Sequence, residues 1–316
     1  MPEERLHIAV GVVYKRTGGS VLIARRRPGS HQGGLWEFPG GKRRPGEGRL
    51  ETLRRELDEE IGIRVDAARP LLCFDYDYPG RPVTLDVWVV DAWSGTPRGR
   101  EGQPIRWVAP EELDPAQFPA ANQRIIRAVA LPDLYFITPD LDDYGEAFLL
   151  RFQALLESGI RLVRFRSRNL AGVARTRILA QVAALCAGHD CLLLGNDLAE
   201  ARDAAAGVHL TSRELMRLEA RPTGAGWVAA SCHSRQELQQ AGRLQLDFCV
   251  LSPVQPTASH PEGGALGWER FAELAETASL PVYALGGLAP DDLEKARRHG
   301  AHGIAMISAL WKATGY

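Results

Sequence analysis

Cysteine is sparse in this chain of 316 residues. There are five, at 73, 186, 191, 232 and 249, an odd count with no CxxC pair and no zinc-ligand spacing. That excludes a disulfide framework and fits reduced thiols in a cytosolic compartment. Net charge is nearly absent as well: the formal value is −1. A broad basic surface for duplex nucleic acid is therefore excluded. No apolar run is long enough to cross a bilayer. The start, Met1-Pro2-Glu3-Glu4-Arg5, is charged and leads straight into a strand-like run, so neither a leader nor an anchor is expected. None of the eight histidines pairs with another at metal-ligand spacing within a helix, and there is no low-complexity tract. What remains is 45% hydrophobic and 24% charged, the composition of a soluble globular protein, expected in the cytoplasm.

One segment stands out. Gly41 is followed after five residues by Glu47 and after seven more by Arg55-Glu56-Leu57; Glu59-Glu60 and Gly62-Ile63 complete it. Residues 50–60 are good helix formers, with Leu50, Leu53, Leu57 and Ile61 at helical spacing. Gly62 suits the position just past a helix end. On such a helix Glu56, Glu59 and Glu60 share a face, where like charges repel. A hard cation that takes carboxylate oxygens and bridges phosphates would neutralise them, and Mg²⁺ is the obvious candidate, with Mn²⁺ as the substitute. Arg55 can orient a neighbouring carboxylate by charge-assisted hydrogen bonds. Gly40-Gly41-Lys42 would let the backbone come close to metal and phosphate. A plain solvated acidic helix would not account for the glycines, Glu47 and Arg55 at fixed offsets.

This pattern is the Nudix box, so the segment resembles the metal and catalytic element of a Nudix hydrolase. The resemblance extends over residues 6–130, to the MutT branch, whose members hydrolyse oxidised guanine nucleoside triphosphates. It is carried by Leu6–Val13, Val21–Arg26, His31, Leu35–Lys42, the hairpin-like Tyr76–Arg81, the strand-like Val83–Val90, Gly99–Pro104, Trp107 and Phe118–Asn122. The resemblance implies a metal set of Glu56, Glu59, Glu60 and the Gly41 carbonyl, completed by Glu101 from a loop. It implies nucleotide contacts from Arg26, His31, Phe38, Arg81 and Asn122, with Asn122 reading a purine edge through the donor and acceptor of its amide. Lys42 or Arg26 would spread phosphate charge. One of Glu56, Glu59 or Glu101 would act as base, and Arg55 would assist. The expected reaction is 8-oxo-dGTP to 8-oxo-dGMP plus diphosphate. Other roles stay open for three of these residues: Asn122 also stands where it could cap the helix that follows, Phe38 could be core packing, and Glu101 a solvated loop carboxylate.

At this length a second domain is expected. Leu131-Pro132-Asp133 is the break, giving domains 1–131 and 132–316 joined by a short link that would pack them together. From Leu134 onward eight strand-like runs alternate with helical stretches: 134–138, 162–167, 191–196, 207–211, 227–232, 248–253, 281–285 and 303–307. The link between the third and fourth leaves room only for a short helix. Overall, the fold class is α/β: an α/β/α sandwich with a mixed sheet, then a compact (β/α)₈ barrel of TIM type. Functional residues of such a barrel follow the strands, which selects Arg166, Asn196, Asp197, Ser231, Thr257, His260, Gly286, Gly287 and Ser308. Gly286-Gly287 and Ser308 would form a phosphate cradle, or the glycines would serve a tight turn alone.

These loops resemble thiamine phosphate synthase and the thiazole tautomerase. The matching pieces are Val163–Arg166, Gly195–Asp197, Gly207–Leu210, Ser252–Thr257 and Leu285–Gly287. Departures are informative. The synthases carry Gln at Arg164, Lys at Arg168, an Asp near Glu214 and a Lys at His260. The barrel is thus expected to bind a phosphorylated ligand, with synthase activity doubtful. Two other outcomes are kept. One is a bifunctional enzyme of thiamine metabolism whose first domain takes another diphosphate. The other is a barrel that is a non-catalytic binding or structural module. The sequence leaves the oligomeric state open.

Overall fold

The computed structural model describes residues 5–16, 19–256 and 264–313. The chain forms two compact units, Met1–Ala130 and Leu131–Tyr316.

The first unit is built on a mixed four-stranded sheet. Its strands are β1 (Leu6–Val13), β4 (Gly40–Lys42), β5 (Ile63–Tyr78) and β6 (Arg81–Gly95), in the order β4-β1-β6-β5. β1 runs parallel to β6, and the other pairings are antiparallel. β2 (Val21–Arg25), β3 (Trp36–Glu37) and β7 (Ile105–Val108) form a small antiparallel sheet. The strand period of two sorts the residues of β1 and β6. Val10, Val12, Val83, Leu85 and Val87 join Ile125, Ile126 and Val129 of helix α2 (Asn122–Val129). Ala9, Val13, Trp88 and Val90 join Leu53, Leu57 and Ile61 of helix α1 (Arg49–Ile61) on the other face. The last three side chains are fully buried, and burial of that kind is worth roughly 2 kcal/mol apiece. α1 ends where expected, with Gly62 left-handed at φ 73°.

The second unit is a closed parallel barrel of eight strands. They are β8 (Leu134–Ile137), β9 (Leu162–Arg164), β10 (Leu192–Gly195), β11 (Gly207–Leu210), β12 (Trp227–Cys232), β13 (Phe248–Leu251), β14 (Val282–Leu285) and β15 (Gly303–Met306). Each lies within a run expected from the sequence. The helix between β10 and β11, α5 (Leu198–Asp203), has six residues. The barrel interior is filled by Leu131, Tyr135, Ile137, Leu162, Leu194, Phe248, Val250 and Tyr283. Cys186, Cys232 and Cys249 are buried, and all five cysteines are free thiols. Among the described residues no helix is long and apolar enough to cross a membrane.

Candidate functional site

The acidic face of α1 is organised by Arg55. Its guanidinium grips Glu47 through Nε (2.5 Å) and Nη2 (2.9 Å) and donates from Nη1 to Glu56 (2.7 Å) and Glu59 (3.0 Å). Nη2 also donates to the Lys42 carbonyl at 3.0 Å, which ties α1 to β4. The Arg55 hydrogen bonds hold the Glu47 carboxyl down at about 2, and Glu47 in turn raises Arg55. Glu59 has a second partner in Arg44 at 3.2 Å.

Glu60 differs from its neighbours. It is half-buried, its Oε2 accepting from the Gly40 amide at 2.7 Å and its carbonyl from Gln103 at 3.1 Å. Burial pushes its carboxyl up to about 8; the Gly40 amide pulls it down, and the charge of Glu37 adds to the rise. Glu56 faces β4. A Cβ placed on Gly41 would lie 2.2 Å from Glu56 Oε2, so glycine is what lets the carboxylate approach this strand. Among the described residues no three Asp, Glu, His or Cys side chains converge on one point. The carboxylates are instead each matched to a donor: Glu56 to Arg55, Glu59 to Arg44 and Arg55, Glu101 to Arg27 at 3.0 Å. The donor set fits a hard divalent ion, because it is all oxygen and includes the half-buried carboxylate of Glu60, whose neighbours Glu37 and Glu101 are negative.

A cleft opens beside this face, on the α2 side of the sheet. Its lining brings together all five residues expected at a nucleotide: Arg26, His31, Phe38, Arg81 and Asn122. The space in and in front of it, open solvent included, is about 580 Å³. Gly40 lines it too, so the residue that holds Glu60 is also part of the cleft wall. Asn122 does not cap α2. The cap position is Ala121, no side chain caps it, and Asn122 is the first helical residue, 7% exposed. Phe38 lines the cleft and packs on Phe118 at 5.9 Å between ring centroids. Arg26 forms an ion pair with Glu37 and donates from Nε to the His31 carbonyl at 2.9 Å, which sets the loop carrying His31. The side chain of Lys42 is exposed, and its contribution to α1 is its carbonyl.

Sequence reasoning missed Glu37, Tyr78 and Gln32, all of which line the cleft. Burial raises the Glu37 carboxyl, against the pull of Arg26. Tyr78 meets His31 edge-on at 5.2 Å and accepts from the Ala121 amide at 3.1 Å. Its signal was available: Tyr76 and Tyr78 alternate onto one face of β5 just before the turn.

In the barrel the expected residues are less uniformly free. Arg166 is held by Asp140 (3.1 Å), and Asp197 caps α5 by accepting from Ala199 (2.9 Å) and Glu200 (3.0 Å). Ser231 bonds His209 Nε2 at 2.9 Å, and His209 Nδ1 bonds Tyr135 at 2.8 Å. Burial drives the His209 imidazole well below its usual range, so it is neutral. Asn196 accepts from Arg164 at 3.3 Å. Gly286 (φ 120°) and Gly287 (φ 67°) are conformations that favour glycine, and Cβ atoms there would press on Pro253 and Gln255 at 2.9 Å. The tight-turn role of the pair is thus present in the structure. Ser308 begins helix α10 (Ser308–Ala313). Thr257 and His260 lie outside the described residues.

Residues 9–128 match the family model described as NUDIX domain, and residues 134–310 match the one described as thiamine monophosphate synthase. The first part is 37% identical over 123 residues to the 8-oxo-dGTP diphosphatase of Escherichia coli, covering 39% of this chain and 95% of that protein. It is 39% identical over 128 residues to the CTP pyrophosphohydrolase of the same organism, covering 39% and 94%. The second part is 30% identical over 186 residues to the thiamine-phosphate synthase of Thioalkalivibrio sulfidiphilus, covering 57% and 88%. The chain belongs to the Nudix hydrolases through its first unit and to the thiamine monophosphate synthase family through its second.

Proposed function

We propose that the first unit is a divalent-metal-dependent nucleoside triphosphate pyrophosphohydrolase. Its substrate is 8-oxo-dGTP, its products are 8-oxo-dGMP and diphosphate, and its role is to clear the oxidised nucleotide from the precursor pool. The observation that carries the reading is the adjacency of the cleft to the acidic face through Gly40. A base held by Asn122 and Phe38 leaves its phosphates beside Glu56 and Glu60. Glu56, Glu59, Glu60, Glu101 and the Gly41 carbonyl would hold a divalent ion such as Mg²⁺, which would supply charge neutralisation and lower the pKa of water. The chain's own residues do the remainder. Arg26 and Lys42 face phosphate charge. Arg55 orients Glu56 and Glu59. One of Glu56, Glu59 or Glu101 takes the proton of the attacking water. The amide of Asn122 presents a donor and an acceptor, so a base with the wrong edge leaves polar groups unpaired. The barrel is read as a module for a phosphorylated ligand, and the arginines at Arg164 and Arg168 argue against synthase activity there.

The test is kcat/KM for 8-oxo-dGTP, dGTP, CTP and thiamine diphosphate, with Mg²⁺, on the full chain. A preference for 8-oxo-dGTP over dGTP upholds the reading. Preference for CTP keeps the reaction and changes the base; preference for the thiamine compound defeats the nucleotide assignment.

A further inference from the structure

The five cysteines fall into two contacting pairs and one single residue. Cys232 and Cys249 sit on the adjacent strands β12 and β13, with their thiols in hydrogen-bond contact and both side chains fully buried. Cys73 stands across from Asp86 on β6.

Cys186 and Cys191 meet by different means. Helix α4 (Gly172–Ala187) ends just after Cys186. The chain then turns back on the carbonyl of that residue, which accepts from the amides of His189 (3.1 Å) and Cys191 (2.9 Å). Asp190 takes the left-handed conformation at φ 50°. A bond from the sixth residue to the first, closing over a left-handed residue, is the Schellman arrangement of a helix end, and it brings the side chains at its two ends together. That contact is commonly apolar. Here both side chains are thiols, and they share a hydrogen bond. Cys186 is buried in the main apolar cluster of the barrel unit, and Cys191 is half-buried against it. One thiol of this pair is thus open to a small oxidant with the other beside it, whereas the pair on β12 and β13 is closed off. Contact with Cys191 and burial both raise the Cys186 thiol, which leaves Cys191 as the residue that reacts first.

We propose that Cys186 and Cys191 form a reversible oxidation site, closed to a disulfide by hydrogen peroxide. In the first step the Cys191 sulfur attacks the peroxide. An S–O bond forms, the O–O bond breaks, and the departing oxygen leaves as water with the thiol proton, giving a sulfenic acid. In the second step the Cys186 sulfur attacks the Cys191 sulfur. The S–S bond forms, the S–O bond breaks, and the hydroxyl leaves as a second water with the Cys186 proton. The thiols give up two electrons and the peroxide takes them. The bridge ties the end of α4 to the start of β10 (Leu192–Gly195), at the opposite end of that strand from Asn196 and Asp197. It is therefore separate from the loops expected to bind a ligand.

The test treats the reduced full chain with hydrogen peroxide, unfolds it in N-ethylmaleimide and digests it with trypsin. Both cysteines fall in one peptide, residues 178–202. That peptide should come out lighter by two hydrogens and unlabelled, and should take two labels after dithiothreitol. Its loss of label should run roughly tenfold or more ahead of that of Cys232 and Cys249. Cys186→Ser should stop at a Cys191 sulfenic acid, trapped by dimedone, and Cys191→Ser should leave Cys186 labelled. The wild-type masses decide the matter if either variant does not fold. A peptide that keeps both labels while Cys73 is oxidised overturns the proposal. So does a bridge between Cys232 and Cys249 in its place, or further oxidation of Cys191 beside a still-labelled Cys186.

Discussion

The amide of Gly40 donates to Oε2 of Glu60 at 2.7 Å, while the same glycine lines the cleft that gathers Asn122, Arg26 and His31. The cleft and the acidic face therefore share one residue of β4. Anything that moves this strand alters both.

Glu60→Gln should remove most turnover, by at least ~100-fold in kcat, with the fold intact. The pH dependence has a sign. The Glu60 carboxyl is raised to about 8 from an ordinary 4.5, so between those values the unfolded chain has lost a proton that the native protein keeps. Native stability of metal-free protein therefore falls as pH rises through that window, by up to a few kcal/mol. Glu60→Gln should be at least as stable as wild type at pH 8 without metal. Urea unfolding with chelator checks this, and a variant less stable at pH 8 than at pH 5 relative to wild type contradicts it.

Asn122→Ala should lower kcat/KM for 8-oxo-dGTP by roughly 10- to 100-fold, the cost of about 1–3 kcal/mol for lost hydrogen bonds at a buried edge. The preference over dGTP should shrink with it. Because Asn122 caps nothing, its truncation should cost less stability than the ~1 kcal/mol of a lost helix cap. Steady-state kinetics and denaturant unfolding on one preparation separate the two.

Arg55→Lys is expected to fail as a replacement. Lysine is a point charge and cannot reach Glu47, Glu56, Glu59 and the Lys42 carbonyl together. Turnover should drop by roughly tenfold or more, with a weaker dependence on Mg²⁺ visible as a higher half-saturating concentration. Wild-type metal titration in the lysine variant would show that the Arg55 network is dispensable.

His209 should make the second unit acid-sensitive. Its folded-state value lies well below the ordinary 6.5, so below that pH the unfolded chain binds a proton the native barrel refuses. Barrel stability should fall as pH drops below about 6.5. His209→Gln should flatten this dependence, read from thermal melting at pH 5 and 7. A slope unchanged in the variant assigns the sensitivity elsewhere.

Much of the architecture was legible because its causes are local. The eight barrel strands are short apolar runs between helices, and each observed strand falls inside its expected run, trimmed by up to three residues as in β9 (Leu162–Arg164). Helical spacing alone puts Glu56, Glu59 and Glu60 within a turn of one another on α1, but not where their carboxylates go: Glu60 turns to Gly40, while Glu56 and Glu59 turn to Arg55 and Arg44. The pairing of Arg26 with Glu37, of Arg27 with Glu101 and of Arg175 with Glu200 was not legible either. Those depend on how distant segments meet, and no period in the sequence encodes it. Asp197 illustrates the same limit: its spacing after a strand suits ligand binding, but the chain needs its carboxylate to start α5.

Leu131 has a consequence for anyone who would separate the two units. It is 5% exposed in the barrel interior with Tyr135, Phe248 and Tyr283, and its carbonyl accepts from His302 Nε2 at 3.0 Å. The next carbonyl, that of Pro132, accepts from the Tyr283 hydroxyl at 2.5 Å. Leu131 and Pro132 thus act as a stopper in the amino-terminal mouth of the barrel. A barrel excised after Leu131 would keep Pro132 but lose the Leu131 half of its stopper, and one excised after Ala130 would carry both along.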